Sequence, residues 1–275
     1  MEPEKPLIYL ILGAAGSGRR EVLADIIDGG LAATDRPVVL MSGGESANPV
    51  YKKLGQIEPW LWVAPPAPGR RIIDRGDSLL HPLPTIEAEL PPGATHIFFV
   101  TDGRLNPVDQ IEAFKVWLTG LDAELAHVIC VVNCRLAEQN PRLIAWYDAC
   151  IHFSDIVLLQ RREGVANKWL SDFQARYQDQ FYPCIFELVK AGRVRNPALI
   201  LEPQALRISH VFDEETDYIL TDSDGEVVDE EDEDEIDEDE EITATPVEDI
   251  YFARRAGGRR EKEIPDIAKF PNGAA

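Results

Sequence analysis

The chain has 275 residues, 45% of them hydrophobic, which suits one sizeable core with tails. Its net charge of -22 is concentrated near the end: residues 208–275 hold 24 Asp and Glu against 6 Lys and Arg, so the part before them is nearly neutral. No run reaches the ~18 apolar residues of a membrane span, the opening MEPEKP does not resemble a secretory signal, and the acidic balance speaks against direct nucleic-acid binding.

Leu7 to Leu12 reads as a buried strand, followed by Gly13, Gly16 and Gly18 in a tight loop. A helix is expected from Arg19, with Val22, Leu23, Ile26 and Ile27 on one face. Pro37 to Met41 is a second strand. Residues 45–95 are less regular: Trp60 to Val63 suits a short strand, PPAPG at 65–69 a turn, and Pro82 to Leu90 a helix stopped by Pro91-Pro92-Gly93.

His96 to Val100 is a further strand, ending in Thr101-Asp102-Gly103. Asn106-Pro107 then supplies an N-cap and a first-turn proline for a helix carrying Val108, Ile111, Phe114, Val116, Trp117 and Leu121. Val128 to Val132 and Asp155 to Leu159 are strands, each followed by a helix, at about Pro141 to Ile151 and Ala166 to Tyr177. A last strand is expected at Cys184 to Val189. Uniformly apolar strands alternating with helices imply an α/β fold, a mostly parallel sheet with helices on both faces. Ligands of such sheets bind beyond the carboxyl ends of the strands, where the glycine loops would gather.

The tail differs in kind. Between Glu226 and Glu241, thirteen of sixteen residues are acidic, a density expected to stay disordered. Behind it, Ile250-Tyr251-Phe252 leads into Arg254, Arg255, Arg259, Arg260 and Lys262. The expected organisation is an α/β domain at 1–207, an acidic tail at 208–249 and a short basic and apolar segment at 250–275. A protein partner is expected to bind through the tail or that segment, or the segment folds onto its own acidic tract.

Strand, glycine loop and helix form the scaffold of a P-loop, whose backbone N–H groups and helix N-terminus hold an anion. The pattern G-x-x-x-x-G-K-[ST] falls on Gly13 to Arg20, with Arg19 at the lysine and Arg20 at the magnesium-binding hydroxyl. Other candidates are bland. His96, His127 and His152 read as packing residues, the five Trp as core or interface anchors, and Arg70, Arg71 and Arg75 as a solvated basic loop. Cys130, Cys134, Cys150 and Cys184 read as reduced, buried thiols of a cytoplasmic protein, and no second pair stands at zinc spacing.

The ordered set of P-loop, Asp102-Gly103 to Pro107 turn, HFSDIVLLQRREGV at 152–165 and AGRVRNPALIL at 191–201 resembles the CobW-type branch of the P-loop GTPases, relatives of the nickel-insertion GTPases. It covers about Leu7 to Leu201. The resemblance implies a nucleotide site, but its residues are altered. The family's carboxylate after the central strand falls at Val100, with Asp102 nearby as a partial substitute. Its guanine-reading Asn-Lys-x-Asp falls on Gln160, Arg161, Arg162 and Glu163, and its Cys-x-Cys-Cys has no counterpart near Trp60-Leu61-Trp62.

Arg does not replace Lys in a tight cradle. Losing both routes to magnesium costs on the order of a thousandfold in rate or more. The expectation is therefore a degenerate, non-catalytic member, a pseudo-GTPase acting as an interaction or regulatory scaffold. GTP, another nucleotide or phosphate would bind without magnesium at Gly13, Gly16, Ser17, Gly18, Arg19, Arg20, Asp102, Gln160, Arg161 and Glu163. Alternatively the loop is a relic, its arginines solvated or paired to Asp102 or Glu163. Two other readings stay open: an active GTP-dependent metallochaperone with an atypical site, and an acidic partner for a basic ribosomal or nucleic-acid-binding protein.

Overall fold

Apolar runs too short for helices become the strands of one sheet in a computed structural model describing residues 5–43, 53–64, 84–213, 218–221, 243–255 and 258–268. The PPAPG turn, the Arg70, Arg71 and Arg75 loop and the acidic tract at 226–241 lie outside the described residues. The sequence yields β1 (Leu7–Leu12), α1 (Arg19–Gly30), β2 (Pro37–Ser42), β3 (Gln56–Val63), β4 (Thr85–Ala88), β5 (His96–Val100), α2 (Pro107–Thr119) and β6 (Glu124–Asn133). There follow α3 (Cys134–Gln139), α4 (Arg142–His152), β7 (Ile156–Gln160), α5 (Asn167–Gln178), β8 (Ile185–Leu188) and α6 (Pro197–Leu201).

The strands stand in the order β4-β3-β2-β5-β1-β6-β7-β8, parallel except for the antiparallel pair β3 and β4. β1 lies at the centre, between β5 and β6, and both of those strands aim their carboxyl ends at the loop that follows it. This is the expected α/β fold, a mostly parallel sheet with helices on both faces. One face, through Tyr9, Ile11, Val39, Phe98 and Val131, packs on α1 and α6. The other face packs on helices such as α2, where Phe99 meets Phe114 at 5.1 Å and Trp117 at 5.4 Å between ring centroids. Each such buried side chain contributes roughly 1.5–3 kcal/mol relative to exposure.

The expected helix at Pro82 to Leu90 is a correction: residues 85–88 form β4. Thr85 and Glu87 are exposed while Ile86 between them is buried, a period of two that suits an edge strand. The proline-bounded stretch is also too short for a stable helix. α3 was not anticipated. Its first turn is capped by Asn133, whose Oδ1 accepts from Leu136 N at 2.9 Å. The N-cap at Asn106 stands as expected, accepting from Val108 N at 2.9 Å with Pro107 behind it. Among the described residues, no helix is long and apolar enough to cross a membrane.

The chain divides into two compact units, Met1–Ile208 with Glu263–Ala275, and Ser209–Lys262. In the second, β9 (Tyr218–Thr221) and β10 (Thr243–Pro246) pair antiparallel. Residues 253–255 also pair with residues 258–261: Arg255 N donates to Arg259 O at 2.8 Å and Glu261 N to Ala253 O at 2.9 Å. Arg254 and Arg260 thus face each other across an antiparallel bridge, with Lys262 Nζ 4.1 Å above the Tyr251 ring.

Candidate functional site

The loop after β1 gathers with the ends of β5, β6 and β7 at the carboxyl edge of the sheet. Gly13, Gly16 and Gly18 have φ of 140°, 78° and 85°, a region that disfavours side chains. Gly18 is the N-cap of α1, which starts at Arg19 without a side-chain cap. Ser17 is fully buried, and its Oγ has no hydrogen-bond partner among the described residues. That hydroxyl lies 3.0 Å from where a Cβ on Gly13 would stand, a point that also abuts Val131 O of β6.

Gly103 presses against the loop from β5. Ala15 N donates to its carbonyl at 3.0 Å, and a Cβ on Gly103 would come within 2.3 Å of Ala15 N and 2.6 Å of Gly13 O. From β6, Asn133 Nδ2 donates to Gly16 O at 3.0 Å, while its own N–H donates to the Tyr147 phenol at 3.1 Å. Desolvation raises that phenol's pKa well above the usual value.

Arg19 is only 6% exposed, and its guanidinium donates to the main-chain carbonyl of Thr101. Its Cδ lies 3.2 Å from the Cβ position of Gly13. The side chain therefore runs from beside Gly13 to the end of β5, buried beneath the loop. Arg20, next in the helix, is half-buried. Asp102 spends its carboxylate on its own turn, accepting from Arg104 N at 2.9 Å, while Gln110 brackets its main chain at 2.7 and 3.0 Å. Val100 is 1% exposed, and its carbonyl accepts from Trp60 Nε1 at 2.8 Å.

Gln160 is buried at the end of β7, with its Nε2 2.5 Å from the Cβ position of Gly18. Its amide wedges against the entrance to α1. Arg161 has a φ of 55° and reaches Glu21 at 3.7 Å across an exposed surface. Arg162 donates from Nε and Nη2 to Val189 O at 3.2 and 3.1 Å, and Glu163 is exposed. The P-loop residues, Asp102 and Gln160 thus come together with Thr101, Gly103 and Asn133, while Arg161 and Glu163 stand at the rim.

Thr101 and Gly103 lie in the turn expected to gather at this edge, though not named there as site residues, while Asn133 has no counterpart in the sequence reading. A polar residue closing a buried strand at the carboxyl edge, as in VICVVN, was the available signal. The histidines pack: His127 is buried, its Nδ1 2.8 Å from Ile200 O and its Nε2 accepting from Gln204 N at 3.1 Å. The four cysteines are free, buried thiols. Among the described residues, no three His, Cys, Asp or Glu side chains converge. The arrangement brings Arg19 and Arg20 to one loop, but Arg19 is engaged by Thr101 O, and two of the loop's N–H groups, Ala15 N and Ser17 N, are engaged by Gly103 O and Ala14 O.

No family model matches the chain, and no curated protein matches it. Among solved structures it is similar to a zinc-bound triple mutant of the YjiA GTPase, at 12% identity and a TM-score of 0.40 over 80% of this chain and 72% of that chain. It is also similar to the zinc-bound YjiA GTPase from E. coli, at 11% identity and a TM-score of 0.39 over the same shares.

Proposed function

We propose that this chain is a non-catalytic, CobW-like P-loop protein that serves as an interaction or regulatory scaffold, its phosphate cradle closed by its own Arg19. The observation carrying this reading is the buried guanidinium, turned onto Thr101 O at the end of β5 and so unavailable to a phosphate. A magnesium–nucleotide does not fit these residues. A cation stands at the hydroxyl position in Arg20, and the carboxylate position is the buried Val100. Phosphoryl transfer depends on positioning and on charge stabilisation by metal and lysine, so the site lacks what hydrolysis needs. A protein partner, a cytoplasmic setting and the division at 207 and 249 belong to the same proposal.

A second reading, binding of phosphate or a nucleotide without magnesium, is favoured by one observation. Ser17 Oγ is buried and unpartnered beside a helix N-terminus that no side chain caps. Equilibrium titration with a fluorescent GTP analogue, with and without Mg²⁺, separates the readings. The closed-cradle scaffold predicts no saturation below about 100 µM in either condition. Saturation indifferent to Mg²⁺ and lost in Arg19→Ala/Arg20→Ala supports the magnesium-free site. Binding in the low micromolar range that Mg²⁺ strengthens overturns both and favours the GTP-dependent metallochaperone.

A further inference from the structure

We propose that the open edge of β8 docks an extended, acidic segment of a partner protein as an added strand. This goes beyond the nucleotide site and gives the scaffold a surface. Among the described residues β8 pairs only with β7 and ends the eight-stranded sheet. Ile185 N donates to Asp155 O and Val189 N to Leu159 O, so the odd-numbered residues turn their main chain towards β7. In a parallel ladder the N–H and C=O of one residue point the same way. Those of Phe186 and Leu188 therefore point outward, a row ready to receive another strand.

Sheet edges are normally blunted by lysine, proline or a bulge. The strand Ile-Phe-Glu-Leu contains no Lys or Pro, and the carboxylate of Glu187 is taken by Arg195 N at 2.7 Å. Ile185 and Leu188 remain 42% and 48% exposed on opposite faces of the edge. Phe181, four residues before the strand, is 90% exposed and has a φ of 57° in the turn that ends α5. Glycine is the usual residue there. A large ring held out to water in a conformation that disfavours it is a contact surface rather than packing.

Charge complementarity names the occupant. Lys190 and Arg193 exchange main-chain hydrogen bonds at 3.0 Å in both directions, on the same side as the open edge. This fixes three exposed cations, Lys190, Arg193 and Arg195, at the edge's carboxyl end. Their side chains make no ion pair among the described residues. Apolar groups followed by unpaired cations fit a strand in which apolar residues adjoin a run of carboxylates.

The test is fluorescence anisotropy of labelled synthetic peptides with the full-length protein. The probes are acetyl-Thr-Val-Thr-Val-Asp-Glu-Asp-Glu-amide and the same residues in reverse order, one for each strand direction. Saturation by one of them at micromolar concentration is expected. Methylating alternate backbone nitrogens of that peptide abolishes binding, and Lys190→Glu/Arg193→Glu/Arg195→Glu weakens it about tenfold or more. Phe181→Gly weakens it without unfolding the protein, since glycine suits that turn. No binding of either peptide by about 1 mM, or binding indifferent to both N-methylation and charge reversal, overturns the proposal. So does a concentration-dependent doubling of mass that Leu188→Lys prevents, which assigns the edge to a second copy. None of these failures bears on the phosphate loop, which the nucleotide titration reads separately.

Discussion

The Arg19 guanidinium donates to the Thr101 carbonyl, and Thr101 is itself tied to Ile11 O by its N–H at 3.1 Å and its Oγ1 at 3.0 Å. The first residue of α1 is thus strutted to the end of β5 through the backbone that precedes the loop. Arg19→Ala removes the donor, leaves a buried carbonyl unsatisfied and opens a void, which together should cost about 2–4 kcal/mol. Arg19→Lys keeps a charge on a stem that cannot reproduce the planar fork, and should recover only part of the loss. Urea denaturation of both variants checks this. A loss below about 0.5 kcal/mol for Arg19→Ala would mean that the side chain is solvated, as in the relic alternative.

Two glycines separate crowding from conformation. A Cβ on Gly103 would press on Ala15 N at 2.3 Å, Gly13 O at 2.6 Å and Ala14 C at 2.7 Å, all main-chain atoms of the loop. Gly164 has a φ of 82° but nothing within 4 Å of its Cβ position. Gly103→Ala should therefore cost roughly 3 kcal/mol or more by displacing the loop. Gly164→Ala should cost about 1 kcal/mol from backbone conformation alone. Thermal melts of the pair give the order, and equal losses would contradict the close approach.

The strands were legible because burial on both faces leaves uniformly apolar runs, as in Leu7–Leu12 and the first four residues of β7. β4 was not, because four alternating residues carry little signal until β3 lies beside them. The loop was readable from its glycines and its missing lysine. What Arg19 does was not, since the sequence shows a cation and not the carbonyl it turns to. Asn133 was hidden for another reason: its partner Gly16 lies 117 positions away, and only the sheet order brings the two together.

Burial pushes the Cys134 thiol up from the usual 9 to about 12, against a smaller opposing pull from Arg162. It pushes Cys184 up to about 12 as well. Above pH 9 the unfolded chain releases these protons while the folded chain keeps them. Stability from this source is complete below pH 9 and is lost as pH rises towards 12, by up to about 1.4 kcal/mol per pH unit for each thiol. Denaturation midpoints measured from pH 8 to 11 should fall, and Cys134→Ala/Cys184→Ala should flatten the decline. An unchanged slope in the double variant would assign the loss elsewhere.

Asp155 anchors the segment leaving α6. Its carboxylate is fully buried and accepts from Val128 N and Leu206 N, each at 2.6 Å, with Arg207 Nη1 at 3.3 Å on Oδ1 and 3.5 Å on Oδ2. Asp155→Asn turns an amide donor towards groups that are already donors, and strips the charge facing a guanidinium 6% exposed. A loss of about 3–5 kcal/mol is expected, as when one partner of a buried pair is removed. Arg207→Met should cost less, because Asp155 keeps both main-chain donors and a side chain of similar length fills the space. The gap between the two variants should change little between low and 0.5 M salt, since screening at about 4 Å acts weakly on buried charges. If Arg207→Met instead proves as damaging as Asp155→Asn, the ion pair and not the two N–H bonds holds this segment to β6 and β7.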